Sequence, residues 1–312
     1  MPVIKSKKHK NKSKKFYIGG APDKVMSEWI SENEIRINKI RVELMEKLSS
    51  MSFKYYCSVC LIIKDENEYL EEWLKWHISQ GIEHFYIYDN GSKYPVSKFI
   101  ADLGEYISSK VTVTDWSGTY KNAQPEAYSD CIRRFSNESR WIGFIDTDEH
   151  VRVVTKQTLG QFLKNYESYA GIMAMWIEYG ACGQKHKSDL PLRKRFTKPS
   201  EFQSKLGKVF IQPLLMDSMY IHNGVAKEGF EVVDEHLEVM EDLKIGPDVE
   251  PTTDLICIDH YFTKSYEEWV EKMKRGRAHL NHGRKYAEFF LYNPDMEYCK
   301  ENIALRQEYL VL

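Results

Sequence analysis

The chain has 312 residues, 42% of them hydrophobic and 13% aromatic, enough for one large α/β domain with appendages and a real core. The formal net charge is −2, which argues against a whole-protein nucleic-acid binder, yet residues 1–15 alone hold seven lysines and no acid. No apolar run of about eighteen residues exists, so no transmembrane helix is expected, and no apolar segment follows the basic start as a signal peptide requires. A cytosolic, non-secreted protein is the expectation.

In chain order, residues 1–20 form a Lys-rich tail that reads as disordered. It is either a peripheral contact for anionic lipid or a solvated tail. Residues 21–52 read as an N-terminal helix. Ile30, Ile37, Ile40, Leu44 and Leu48 recur at helical spacing among charges, as in a packing or oligomerising helix. Tyr56–Ile63 is apolar at nearly every position and predicts a strand buried on both faces. A helix over about Glu66–Gln80 follows, closed by Gly81, and then a strand over His84–Tyr88. Strand, helix and strand in that length make a βαβ unit. A helix over about Val96–Ile107, a strand over Val111–Asp115 and a helix over Gln124–Glu138 continue the alternation.

Trp141–His150, WIGFIDTDEH, comes next. Its apolar run reads as a buried strand that ends in Asp146, Asp148 and Glu149. Carboxylates at a strand's carboxyl end are costly unless they meet a cation or polar ligand. That end of an open α/β sheet is where ligands bind. Two aspartates on a tight turn suit Mg²⁺ or Mn²⁺ holding a diphosphate; a solvated acidic turn is the plain alternative. Beyond it the spacing predicts a short helix over Thr155–Tyr166 and a buried strand over Ala170–Tyr179. A mobile loop follows over 184–204, then short strands over Lys208–Gln212 and Ser218–His222. Glu228–Gly246 reads as loop-rich, Leu255–His260 as a strand, and Ser265–Lys274 as a helix with a Ser265–Glu268 capping box. Residues 281–312 read as a helical extension. Six cysteines are scattered. Cys57 and Cys60, three apart on a strand, point to opposite faces, so buried free thiols are expected rather than a zinc or redox pair.

The blocks IIKDENEYLEEWLKWHISQGIEHFYIYDNGS, WIGFIDTDEH, WIEYG and IDHYFTKSYEEWVEKMKRG together resemble the family 92 glycosyltransferases and their family 2-like relatives, over about residues 55–277. The resemblance implies a GT-A fold, Rossmann-like with a mostly parallel sheet flanked by helices, placed here at residues 53–280. It also implies a UDP-sugar donor, UDP-galactose first, and a divalent metal. Asp146 and Asp148 match the D-x-D, and His260 matches a late histidine that completes metal coordination. The imidazole favours Mn²⁺ over Mg²⁺. Glu149 extends the motif as a supporting carboxylate. Asp89, Asn90 and Ser92 match a nucleoside-binding loop. Lys64, Asp65 and Glu66 line the same pocket, although Glu66 also suits a helix N-terminus. Gln124 and Tyr128 approach the sugar. Lys264 and Ser265 stand where diphosphate would lie, with capping as the competing role for Ser265.

The expected reaction is metal-dependent transfer of a sugar to a hydroxyl of a glycan, glycolipid or glycoprotein, with inversion. Glu178 is the first candidate for the base, ahead of Asp217, Asp234 and Glu235. Trp176 and His222 are assigned to the acceptor side; core packing is the alternative for Trp176. The competing classes are a nucleotidyltransferase, for which no Gly-rich triphosphate loop follows the first strand, a non-catalytic nucleotide-sugar binder, and a nucleic-acid binder that works through the tail.

Overall fold

The structure, a computed structural model, describes residues 24–118, 120–222, 224–240, 252–276 and 284–297. The Lys-rich tail, Cys299 and most of the C-terminal extension lie outside the described residues. The chain runs α1 (Lys24–Ser50), β1 (Tyr55–Ile63), α2 (Asn67–Ser79), β2 (His84–Asp89), α3 (Val96–Asp102), α4 (Glu105–Ser108), β3 (Val111–Asp115), α5 (Ala123–Phe135) and β4 (Ser139–Phe144). It continues through β5 (Glu149–Val153), α6 (Leu159–Leu163), β6 (Gly171–Glu178), α7 (Leu192–Arg195), β7 (Gly207–Ile211), β8 (Met216–Met219), β9 (Gly224–Ala226) and β10 (Val232–Val233). It closes with β11 (Ile256–His260), α8 (Tyr266–Arg275), α9 (Tyr286–Tyr292) and α10 (Pro294–Glu297).

Among the described residues, nine strands form one sheet in the order β3-β2-β1-β4-β7-β6-β11-β5, with β10 beside β6. The first four pair parallel. β7 is inserted antiparallel between β4 and β6, β11 returns to parallel beside β6, and β5 closes the edge antiparallel. This mixed α/β layer fits the expected Rossmann-like GT-A architecture. Side-chain alternation along β1 divides the core: Cys57, Val59, Leu61 and Ile63 enter one apolar cluster and Cys60 the other. The two cysteines thus do face opposite ways. Four of the free thiols are buried, but Cys182 is exposed. Gly143 on β4 lets the sheet close, because a Cβ there would stand 2.3 Å from the Phe210 ring of β7.

α1 lies on the second cluster through Leu44, Met45 and Leu48, and Arg41 donates to the carbonyls of Ser168 and Gly229. Four expectations need correction. The helix over 96–107 is two helices, because Gly104 takes φ 84° between them. β5 begins inside the acidic turn, where no strand was expected. The stretch 184–204 is not a loose loop: it carries α7, buries Leu192 and Phe196, and is clasped to α8 by the buried Arg195–Glu268 pair. The strand expected over Ser218–His222 sits earlier, as β8, and pairs with β9. The capping box on α8 is present: Ser265 Oγ accepts from the Glu268 amide.

Candidate active site

The site forms where β4 leaves the sheet and the chain turns into β5. The Asp146 carbonyl accepts from the Glu149 amide at 3.1 Å, and Glu149 Oε2 accepts from the Asp146 amide at 2.8 Å, so the turn is closed twice. Trp73 Nε1 donates to the Asp146 carbonyl, and the Tyr261 amide to the Asp148 carbonyl. The turn lies on the floor of a cavity of about 490 Å³.

Strand register explains how the histidine arrives. On β11, His260 is the direct cross-strand partner of Glu149 on β5 and of Glu178 on β6. Three residues far apart in sequence thereby share one row. His260 Nδ1 lies 2.9 Å from Glu178 Oε2, close enough for an ion pair although off hydrogen-bond geometry. Its Nε2 lies 3.9 Å from Asp148 Oδ1 and 4.0 Å from Glu149 Oε1. Burial alone would strip the His260 proton, but Glu178, Asp148 and Glu149 outweigh it and hold the imidazole above its usual range.

Two lysines balance the aspartates. Lys208, fully buried on β7, donates to Asp146 Oδ2 at 2.8 Å and lies 3.8 Å from Glu149 Oε2. Burial works against its charge, but Asp146 and Glu149 raise its pKa above that of an ordinary lysine. Lys272 on α8 donates to Asp148 Oδ2 and to the Phe262 carbonyl. Burial, with Arg284 and Lys264 nearby, brings Lys272 down to about 8 against the pull of Asp148. Burial also opposes the charge on Asp148, yet Lys272, Lys264 and His260 hold it well below the carboxylate range. Glu149 goes the other way. Burial, with Asp146 and Asp148 close by, pushes it up to about 8 against Lys208 and His260.

Three donor atoms remain outside the lysine pairs: Asp148 Oδ1, Glu149 Oε1 and His260 Nε2. Glu149 Oε1 is buried without a hydrogen-bond partner, an arrangement that costs free energy unless something positive faces it. Two carboxylate oxygens and an imidazole nitrogen suit a divalent cation, whose bonds to such donors run about 2.0–2.2 Å. The trio therefore fits a metal ion by donor type rather than by spacing: among the described residues only Glu235, His236 and Asp254 bring three such atoms within 4.8 Å of one another. Asp146, expected as a ligand, has partners on both oxygens: Lys208 on Oδ2, and Gln124 Nε2 at 3.1 Å with the Tyr128 hydroxyl at 3.3 Å on Oδ1. Its side chain is still 33% exposed and opens on the cavity.

The other expected residues divide. Lys64, Glu66 and Asn90 line the cavity beyond β1 and β2, and Gln124 lines it beside Asp146. Glu66 accepts from Thr147 Oγ1 at 2.6 Å and from Arg275 at 2.5 Å, so it ties α8 to the acidic turn. Trp176 and His222 line the opposite side. The Trp176 ring packs 4.3 Å from that of His260 and 5.2 Å from that of His222.

Seven of the expected residues, Asp65, Asp89, Ser92, Tyr128, Glu178, Lys264 and Ser265, are not on the cavity wall. Asp89 accepts from the Ser92 amide at 2.9 Å and the Val96 amide at 3.0 Å, so both its oxygens build the loop and cap α3. Ser92 Oγ accepts from the Asp65 amide. Tyr128 is fully buried beneath Asp146. Lys264 takes φ 54° and lies over the Tyr69 ring, 3.5 Å from Glu66. Glu178 is fully buried, with Oε1 accepting from Ser204 and Oε2 against His260, so it cannot reach an acceptor as a base. The alternatives fare no better. Asp217 is exposed on β8. Asp234 accepts from the His236 and Glu238 amides. Glu235 takes three amides at the start of β11.

Lys208 and Lys272 were not singled out from the sequence as site residues. Each left a signal: a lone lysine in the apolar run GKVFI, and a lysine on the same stripe of α8 as Tyr266 and Trp269. A charge on a buried face demands a partner.

The profile of Glycosyltransferase family 92 matches residues 55–284. The chain belongs to glycosyltransferase family 92. Similar family 92 proteins include Os08g0121900 of Oryza sativa subsp. japonica, 25% identical over 182 residues, which cover 56% of this chain and 30% of that protein. RCOM_0530710 of Ricinus communis is 23% identical over 224 residues, covering 70% of this chain and 37% of that protein. A further relative is the galactan beta-1,4-galactosyltransferase GALS3 of Arabidopsis thaliana, 25% identical over 121 residues, covering 37% of this chain and 24% of that protein. The chain spans about a third of the length of the first two family 92 relatives.

Proposed function

We propose that the protein is a glycosyltransferase that takes its sugar from a nucleotide-sugar donor, a UDP-sugar first, and passes it to a hydroxyl of a glycan or glycoconjugate. The observation that carries this reading is the convergence of Asp148 Oδ1, Glu149 Oε1 and His260 Nε2, none of them taken by a lysine, in the cavity at the carboxyl edge of the parallel strands. These three would hold Mn²⁺ or Mg²⁺, so the second carboxylate ligand is Glu149 rather than Asp146. Bound there, the cation supplies charge neutralisation for a leaving diphosphate. Family membership supports the reaction class. The galactosyltransferase named among the relatives supports a galactose donor.

The protein's own groups have separable tasks. Lys64, Glu66 and Asn90 receive the nucleoside end of the donor. Gln124 and Tyr128 fix the Asp146 carboxylate, which faces the sugar. Glu178 positions His260 by holding Nδ1, so that Nε2 faces the carboxylates, the carboxylate–histidine arrangement common around metals. Trp176 and His222 form the acceptor side. His222 Nδ1 contacts the Gly207 carbonyl at 3.1 Å, and a carbonyl only accepts, so Nδ1 carries the proton and Nε2 the lone pair. Burial, with Lys208 nearby, lowers the His222 pKa to about 4 and keeps it neutral. In an inverting transfer, His222 replaces Glu178 as the group that takes the acceptor's proton.

A thermal-shift titration tests the assignment. UDP and UDP-galactose with Mn²⁺ should raise the melting temperature well beyond either component alone. No shift with any nucleotide-sugar, with or without metal, would sink it.

A further inference from the structure

The two lysines differ in their access to the cavity. Lys208 has no exposed surface and is not on the cavity wall. Lys272 is on that wall, and Arg275 is beside it. The Lys272 ammonium rests on one oxygen of Asp148 and on the Phe262 carbonyl, while the other oxygen of Asp148 faces His260 Nε2 at 3.9 Å. Asp148 therefore has a resident counter-ion on one side and an open donor on the other. Without Lys272, a carboxylate this deep would lose its nearest and strongest compensating charge, with only Lys264 and His260 left to offset it. A divalent cation on the open side removes that need and repels the ammonium across a few ångströms of poorly solvated space. The Phe262 carbonyl is a weak anchor for a lysine on its own, and a lysine stem is long and flexible. The opposite charge that this wall of the cavity would meet is an anionic ligand.

We propose that Lys272 is an exchangeable counter-ion: it holds Asp148 in the metal-free protein, yields it to a divalent cation, and then binds the diphosphate of the donor. This rests on the nucleotide-sugar reading above and adds an order to it, metal before donor. It also assigns Lys272 a donor-binding role that Lys208 cannot share.

Calorimetry on the full chain tests the exchange, with Mn²⁺ alone and then UDP at saturating Mn²⁺. Lys272→Gln keeps an N–H for Asp148 and removes the charge. It should bind Mn²⁺ about tenfold more tightly and UDP about tenfold more weakly, since one unit charge is lost from a site of reduced dielectric. Lys272→Arg should return both affinities toward wild type. A structural role would weaken both ligands together, and that result, or no change in either, overturns the proposal. If the glutamine variant does not fold, acetylation of wild-type lysines read by mass spectrometry decides. Lys272 should become more reactive with Mn²⁺ alone and be protected again by Mn²⁺ with UDP; reactivity unchanged through the series overturns the exchange. Wild type that binds neither Mn²⁺ nor UDP overturns the nucleotide-sugar reading itself.

Discussion

Two turns at the same edge of the sheet begin with an aspartate and use it in opposite ways. At the end of β2, Asp89 gives both oxygens to backbone amides of the loop that follows. After β4, Asp146 and Asp148 give an oxygen each to a lysine from a distant element. A carboxylate saturated by fixed amides is part of the scaffold. One balanced by an ammonium has a partner that a different cation can replace. The turn after β4 is therefore the one equipped to bind, and the turn after β2 shapes the wall beside it.

The largest expected effect falls on the second turn. Asp148→Ala should lower UDP-sugar-dependent transfer or hydrolysis by about 10²–10³-fold, as loss of a main transition-state charge stabiliser does. EDTA should give a comparable loss in wild type. Full turnover in the variant or in EDTA would remove the distinction between the turns. Lys208→Met leaves Asp146 and Glu149 without their buried cation and should cost about 3 kcal/mol of stability in urea unfolding. Unchanged stability would mean that Lys208 is not the counter-ion.

Glu268 supplies a third mode, a carboxylate paired with arginine. Burial opposes its charge, but Arg195, Ser265 and Tyr69 bring its pKa down to about 2 from 4.5. A depressed carboxylate stabilises the fold fully above its unfolded pKa, so this contribution, about 3 kcal/mol, is lost as pH falls through the window between the two values. Urea midpoints measured from pH 6 down to about pH 3 should drop in wild type and flatten in Arg195→Met. Equal slopes would show that the clasp does not set the acid limit. Glu178→Gln should weaken Mn²⁺ binding about tenfold with little effect on melting temperature; equal Mn²⁺ affinity would detach Glu178 from the proposed metal site. The smallest effect belongs to Asp89→Ala, a loss of about 1 kcal/mol typical of a cap, with turnover within about threefold of wild type. A large fall in turnover with stability intact would make Asp89 a donor ligand after all.

The parallel half was legible because its strands are apolar on both faces and its helices alternate with them. The runs at Tyr56–Ile63 and Trp141–Ile145 need no tertiary information to be read as buried strands. The acidic turn was legible for the same reason, since carboxylates after such a run stand out. β5 was not. Its residues EHVRV include two charged groups and a histidine, and Glu149 and His150 are buried because β11 pairs with them, not because they are apolar. The role of Glu178 was hidden by register, since which strand lies beside β6 decides whether the carboxylate meets an acceptor or His260. Asp89 misled because its motif marks a loop geometry as readily as a ligand. The lysine partners were hidden by distance along the chain.

That distance has a consequence for how the protein is made. Lys272 lies 124 residues beyond Asp148, and Arg275 lies 209 beyond Glu66. Asp148 and Glu66 leave the ribosome long before the α8 cations that balance them. Contacts of such long range close late in folding. Until α8 docks, Asp148 lacks the Lys272 ammonium, so a chain that stalls or is cut before Tyr266 keeps Glu66, Asp146, Asp148 and Glu149 and lacks Lys272 and Arg275. Completion of α8 is thus the step at which the cavity becomes electrostatically affordable.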